Sequence, residues 1–275
     1  MKEQKMKSFP MAPPGKKMDQ LTIPERDVMY SARLEKARIW ALLLPLLLFC
    51  ASNMAWAQGA GKVTHLSGVI AVTKASGESR IISVDSVVEQ GDVLSTQDDT
   101  YARIKFTDGS EMVMRPNSRL EINAYSFDKE RPQEDNVLMR LLKGGLRSVT
   151  GLIGKRNKEN VSFETPSATI GIRGTHFSAL VCQGDCFDIT TAGGEIPRDG
   201  THVDVVSGAV NVRNAAGSTE VRAGQFGYVA SPEVVPSIVP PASGVSVTMP
   251  SSISTNRGTG QGIGASKANE CVVSE

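Results

Sequence analysis

The chain has 275 residues, with 30 Lys/Arg, 29 Asp/Glu and a formal net charge of +1. That length allows one or two domains with a substantial core. The near balance of charge excludes a strongly basic nucleic-acid binder.

The chain opens on a basic lead, followed by the apolar run "IWALLLPLLLFCA", residues 39–51, and then by Ala55-Trp56-Ala57. A charged lead, a short apolar core and a small-x-small site predict a secretory signal peptide cut after Ala57. The core has 13 residues, against the roughly 20 a spanning helix needs. Met29 opens an ordinary n-region with Arg33, Lys36 and Arg38, so a start at Met29 and an extended lead from Met1 both fit. Phe49 before Cys50 argues against lipidation. Nine of the 30 basic and five of the 29 acidic residues fall in 1–57, which leaves 21 and 24, a net charge of −3. No nucleic-acid partner, anionic membrane surface or membrane span after cleavage is expected. The predicted product is periplasmic or secreted.

From Lys62 to Val229 the sequence reads as short β segments. They are Val69–Val72, Arg80–Val84, Ala102–Phe106, Glu111–Arg115, Arg119–Ile122, Val161–Thr165, His176–Val181, Val203–Val206 and Ala209–Val212. Each is β-branched or alternating, and Gly-, Asn- or Pro-containing turns separate them. Pro132–Leu142 opens with Pro and acidic residues as a helix would, though its apolar residues also fit a strand. The class is all-β.

Ser67–Gly77 aligns with Ser207–Gly217, 140 residues on, with five of eleven positions identical; Leu141–Gly151 is a looser third echo. Recurring short strands with glycine at the corners predict a β-solenoid, a β-helix-like stack. A sandwich of similar hairpins is the alternative. Residues 231–275 are rich in Pro, Ser and Gly and are predicted to be a flexible tail. The expected organisation is signal peptide 1–57, β domain 58–230 and tail 231–275.

Cys182 and Cys186 flank "QGD". In an oxidising compartment that spacing predicts a local disulfide across a turn. A metal site would need further ligands, and His176 and His202 make no pattern with the cysteines. Cys271 is left unpaired in the tail. HExxH, G-x-S-x-G and Walker patterns are absent from the sequence. His65, His176 and His202 are far apart and read as surface or strand-face residues, and Asp98-Asp99 and Glu134-Asp135 read as solvated loops. No catalytic residue, metal ligand or cofactor is therefore expected, and the chain reads as a non-enzyme.

Several segments occur in a telling order: "SGVIAV", "QGDVLST", "ARIKFTDGSEMVMRPNSRLEI", "LLKGGLRS" and "TPSATIGIRGTHFSALV". Together they resemble the FecR domain, a periplasmic module named after the ferric-citrate regulator. The resemblance is close over Lys62–Val181 and reaches Tyr228 through the repeat. It rests on Asp108, Gly109 and Ser110, on Pro116, Asn117 and Ser118, and on Thr165, Pro166, Gly171, Arg173, Gly174, Thr175 and Phe177. His176 departs from the pattern, which often has an acidic residue there. By their own chemistry, Ile170, Ile172 and Phe177 should point inward, Gly171 and Gly174 should turn a corner, and Arg173 should face out.

The resulting expectation is an exported, non-enzymatic binding or scaffold protein of the bacterial envelope, whose partner is a protein or a polysaccharide. One alternative is a membrane-anchored FecR-type regulator of a sigma factor. Against it stand the 38 proline-containing residues before the apolar run, too few for a folded cytoplasmic domain. The other alternative is a glycan-active envelope enzyme with a carboxylate pair.

Overall fold

The computed structural model describes residues 59–250 and Ile253. The signal-peptide, Cys50 and Cys271 expectations lie outside the described residues. The first strands are β1 (Gly61–Leu66), β2 (Ile70–Thr73), β3 (Ser79–Ile82), β4 (Val87–Val88), β5 (Val93–Thr96), β6 (Ala102–Phe106), β7 (Glu111–Met114) and β8 (Arg119–Ser126). Then come the long β9 (Asn136–Val149) and the short helix α1 (Leu152–Arg156). The remaining strands are β10 (Val161–Glu164), β11 (Thr169–Ile172), β12 (His176–Cys182), β13 (Gly200–Ser207), β14 (Ala209–Arg213), β15 (Ser218–Arg222), β16 (Phe226–Val229) and β17 (Ser237–Val239).

The strands form one open 17-stranded sheet. It consists of two ladders that meet on β9. The first runs β4-β1-β6-β7-β9-β12-β13-β16-β17. The second runs β3-β2-β5-β8-β9-β10-β11-β14-β15. Both ladders contribute to a single core that includes Ile70, Leu94, Ile104, Met112, Leu120, Leu146 and Phe177. Phe163 on β10 meets Phe177 on β12 edge to face, with ring centroids 5.2 Å apart.

The all-β expectation matches this architecture, whereas a solenoid or β-helix stack is not confirmed. Tight turns reverse the chain, so neighbouring strands pair antiparallel. The one parallel pairing among the described residues is β9 with β10, and α1 lies in the connection between them. The 140-residue repeat is a repeat of topology. β2 and β3 pair through Ile70↔Ile82 and Val72↔Arg80, and β14 and β15 pair through Val210↔Val221 and Val212↔Thr219. β1 pairs with β4 as β13 does with β16.

Residues 136–142 are strand, not helix. Val137, Met139 and Leu141 are buried while Leu138, Arg140 and Leu142 are half-buried, the period of two that a sheet imposes. The phase then flips, and it is Leu146 and Ser148 that are buried. The break falls at Gly144, where φ is +73°. There β9 leaves one ladder for the other, as strands do at the corners of packed sheets. An added Cβ at Gly144 would lie 2.7 Å from Ser118 Cα and 2.8 Å from the Asn117 carbonyl oxygen.

The flexible-tail expectation is corrected over 231–250. β17 pairs with β16 through Phe226↔Val239 and Gly227↔Ile238. Val245 and Val247 are buried with Leu180, Cys182 and Cys186, and Ile253 is buried against Val113. The Pro/Ser/Gly bias of this segment hides an alternation, "VSVTM", that buries Val245 and Val247 and half-buries Met249.

Two outcomes follow. Gly144→Val should lower the unfolding free energy by more than about 2 kcal/mol, through positive-φ strain and overpacking; a urea midpoint like that of the wild type would refute the bend as described. A chain ending at Ser231 loses Val245, Val247 and Ile253 and should be at least about 3 kcal/mol less stable, a loss that calorimetry will read as a lowered melting temperature.

Candidate functional site

The family-motif residues build corners. Asp108 is buried in the β6–β7 turn. Its Oδ1 accepts hydrogen bonds from the Ser110 backbone N–H (3.0 Å), the Ser110 hydroxyl (2.6 Å) and the Tyr125 hydroxyl (3.2 Å). Its carbonyl accepts from the Leu152 N–H at 2.9 Å, which ties the turn to α1. Gly109 supplies the positive φ of the turn, +81°.

Pro116, Asn117 and Ser118 turn the chain from β7 into β8, with Asn117 at φ +55°. Ser118 is buried, and its hydroxyl both donates to the Gly145 carbonyl (3.0 Å) and accepts from the Gly145 N–H (2.9 Å). These two hydrogen bonds clamp the bend of β9. Thr165 caps the β10–β11 turn by donating to the Ala168 carbonyl at 2.9 Å. Pro166 follows in that turn, on the rim of a cavity that Cys182 and Thr201 also line. Gly174 has φ +70°, and Gly171 does not share that conformation. The carbonyl of Thr175 accepts from the Thr150 N–H and hydroxyl. Ile170, Ile172 and Phe177 point inward, as expected. Arg173 is exposed, and its Nη1 lies 3.5 Å from Glu220. The motif residues thus sit at separate corners and do not converge on one site.

Cys182 and Cys186 are joined, with their Cα atoms 5.5 Å apart. Their loop is fixed to the bend of β9 and its neighbour by Lys143–Asp185 at 3.1 Å and Arg115–Asp188 at 3.4 Å. Among the described residues no group of three His, Cys, Asp or Glu side chains is placed to hold a metal.

The surface that draws side chains together lies on the outward face of the first ladder. On β12, Phe177, Ala179 and Val181 enter the main core, while Leu180 and Cys182 belong to a second cluster on the opposite face. All six residues from Phe177 to Cys182 are buried, so β12 is covered on both sides. Paired positions run across this outward face: Arg103, Val113, Arg147, Ser178, Asp204 and Phe226. Residues 244–250 and Ile253 lie over the row as a strap. Val245 and Val247 pack with Leu180 and the two cysteines, Met249 packs in that cluster and against Val113, and Ile253 packs against Val113. The Ser246 hydroxyl donates to Asp204 Oδ2 at 3.2 Å.

His176 sits beside this row. Arg147 Nε–H donates to its Nε2 at 2.7 Å. Burial, and then the Arg147 charge, hold the imidazole down at about 4, from 6.5. Burial also lowers the Arg147 guanidinium and raises the Asp204 carboxyl. The side chain at the departing motif position is therefore a neutral acceptor for an arginine, where a carboxylate would have made an ion pair. His202 is buried, shares a 2.8 Å hydrogen bond with the Arg198 carbonyl and lies tilted on Tyr228. His65 is exposed on β1. Sequence reasoning missed Arg147, Ser178 and Asp204 because their strands pair only through the fold. The strap's signal, the alternation of 245–249, is hidden by the Pro/Ser/Gly composition around it.

The sign of the His176 effect is fixed. The folded-state pKa lies below the unfolded one, so stability is complete above about pH 6.5 and falls as the pH drops toward 4. Asp204 acts in the opposite direction, so the informative quantity is a difference between variants. His176→Gln keeps an acceptor for Arg147 and removes the titration. Its melting temperature should decline less than that of the wild type between pH 6.5 and 4; parallel curves would refute a buried neutral His176.

The FecR protein family model matches residues 92–226 of this chain. Two crystal structures of a protein described as an anti-sigma factor from Parabacteroides distasonis share 13% and 14% identity with it, at TM-scores of 0.38 and 0.39. Each alignment covers 54% of this chain and 58% of the other, so the chain spans little more than half the length of those proteins. A structure described as a cell surface anchoring domain shares 25% identity, at a TM-score of 0.23, over 23% of this chain and 84% of its own. No curated protein matches the sequence.

Proposed function

We propose, from the premise that this chain carries a FecR domain, that the protein is an exported, non-enzymatic binding module of the bacterial cell envelope. The observation that carries the reading is the family match over 92–226. The motif residues support it, because each is used in a corner: Asp108 on Ser110 and Tyr125, Ser118 on Gly145, and Thr165 on Ala168. The signal-like segment 1–57 supports export, to the periplasm or beyond, and a cut after Ala57. In that reading the wound sheet acts as a solenoid-like stack would, offering open strand edges at β3 and β4 and a flat outer face to an envelope protein or polysaccharide.

A second reading is favoured by the same match: a FecR-type signalling regulator, in which this domain is the part that meets a partner and the N-terminal segment is retained. No described helix is long and apolar enough to cross a membrane, so the two readings diverge in residues 1–58.

Cell fractionation followed by N-terminal sequencing separates them. Export with cleavage predicts a soluble periplasmic or secreted chain beginning at Gln58. A chain beginning at Met1 or Met29 in the membrane fraction sinks the exported-module reading in favour of the regulator. Capture from envelope extracts with the chain from Gln58 should then retain a protein or polysaccharide.

A further inference from the structure

We propose that the outward face of the first ladder is a docking surface for an extended partner segment with aliphatic residues at alternate positions, and that residues 244–250, with Ile253, occupy it as an internal stand-in. The proposal rests on the binding-module reading and names the surface and the chemistry of its partner.

The seated segment defines that chemistry. Val245 and Val247 are buried and Met249 is half-buried, whereas Ser246 and Thr248 between them are exposed. This is the alternation of an extended chain laid on a flat face. Yet the segment joins no ladder: among the described residues its backbone from Val245 to Met249 makes no backbone–backbone hydrogen bond outside regular structure, and it belongs to no strand. It is held by side-chain insertion at the face and by backbone anchors at its start. There the Ala192 N–H donates to the Gly244 carbonyl at 2.9 Å and the Gly193 N–H to the Ala242 carbonyl at 2.7 Å. A strap whose backbone makes no ladder bonds from Val245 to Met249 is exchangeable for another chain of the same pattern.

The face beneath is built for more than the strap uses. Ser178 is 1% exposed, and its Oγ has no hydrogen-bond partner. Oε2 of Glu111, on the same face of β7, is also buried without a partner. Buried polar groups are ordinarily satisfied, so these two mark donors and acceptors that the strap does not supply. Arg147, flanking Ser178 across the β9–β12 pairing, and Asp204, on its other side, offer one charge of each sign. A partner segment that places aliphatic side chains where Val245 and Val247 sit, and polar groups over Ser178, would satisfy what the strap leaves open. The cysteine-linked loop forms one wall of the seat, because Cys182 and Cys186 lie in the cluster that holds Val245 and Val247.

Competition explains how such a face stays covered. An internal occupant reduces the apparent affinity of an external one by the fraction of molecules in which the face is free. Weakening the strap should therefore tighten external binding without altering the face.

The test uses the full chain and a fluorescent peptide, GVSVTMPSSI, copied from 244–253. Val245→Asp/Val247→Asp in one chain should bind the peptide at least about tenfold more tightly than the wild type. Added peptide should also raise the melting temperature of the variant, since a ligand of the native state stabilises it. A peptide with its two valines changed to Asp should do neither. If the double variant does not fold, Val247→Ala replaces it with the same expectation at smaller amplitude. A folded strap variant that binds the peptide no better than the wild type overturns the proposal. So does a variant whose strap exchanges only between two copies, seen as a dimer that added peptide does not dissociate. Capture of an envelope partner without peptide binding overturns the docking face and leaves the binding-module reading standing; peptide binding without envelope capture supports the face and counts against the wider reading.

Discussion

One strand must serve two ladders. β9 pairs with β8 and β10 through its first half and with β7 and β12 through its second. A strand cannot do this while keeping its side-chain phase, because its two ends meet the core from different sheets. Gly144 resolves the conflict with a left-handed residue, and Ser118 holds the turn by bonding both polar groups of Gly145. Ser118 is itself placed by Thr96, whose hydroxyl accepts from the Ser118 N–H at 2.9 Å and donates to the Arg115 carbonyl at 2.6 Å. The side of the molecule to which β5, β7 and β8 belong is thus keyed to a single bend in β9.

A second constraint follows from the first. Joined at β9, the two ladders share one core, and the first ladder is left with an outward face that is partly apolar. Leu180 and Val113 on that face are 1% and 0% exposed, so something must cover them. The cover consists of the strap and the loop that ends in the cysteine pair. Neither forms a ladder, and this is why the face keeps unsatisfied polar groups although the main core is apolar. Regular strands satisfy their backbones in passing. A strap laid across strands supplies side chains only, and whatever polar groups it crosses must find their partners elsewhere.

Much of this was legible in the residues. Asp108-Gly109 and Pro116-Asn117 announced turns by their own chemistry, and Gly174 announced a corner; all three are where the sequence put them. The repeat was legible as well, since Ser67-Gly68 and Ser207-Gly208 lie at the junctions of equivalent strands, β1 with β2 and β13 with β14. The direction of pairing was not. Parallel coils and antiparallel ladders use the same short alternating strands and the same corner glycines, and only the path of the chain between corners separates them. Residues 136–142 were ambiguous for a related reason: Val137, Leu138, Leu141 and Leu142 suit one face of a helix as well as they suit a strand with both faces near neighbours. The strap was masked by composition. Four prolines between 232 and 241 read as disorder, but they also rigidify the lead-in that delivers Val245 to its seat.

The cysteine pair acts through its location as well as through the loop it closes. Its loop is very short, with a sequence separation of 4, so its effect on the unfolded chain is smaller than the roughly 3 kcal/mol of a 15-residue loop. On that ground alone it is a local staple. Yet its sulfur atoms lie where the strap inserts, with Cys182 and Cys186 only 1% and 5% exposed. Two free thiols at these positions would no longer be held together, and the loop between β12 and β13 would lose one of its fixings beside Val245 and Val247. What remained would be the ion pairs Lys143–Asp185 and Arg115–Asp188, and the first, which is largely exposed, is worth no more than about 1 kcal/mol. The staple therefore acts through the shape of the wall it gives to the strap's seat as well as through chain entropy.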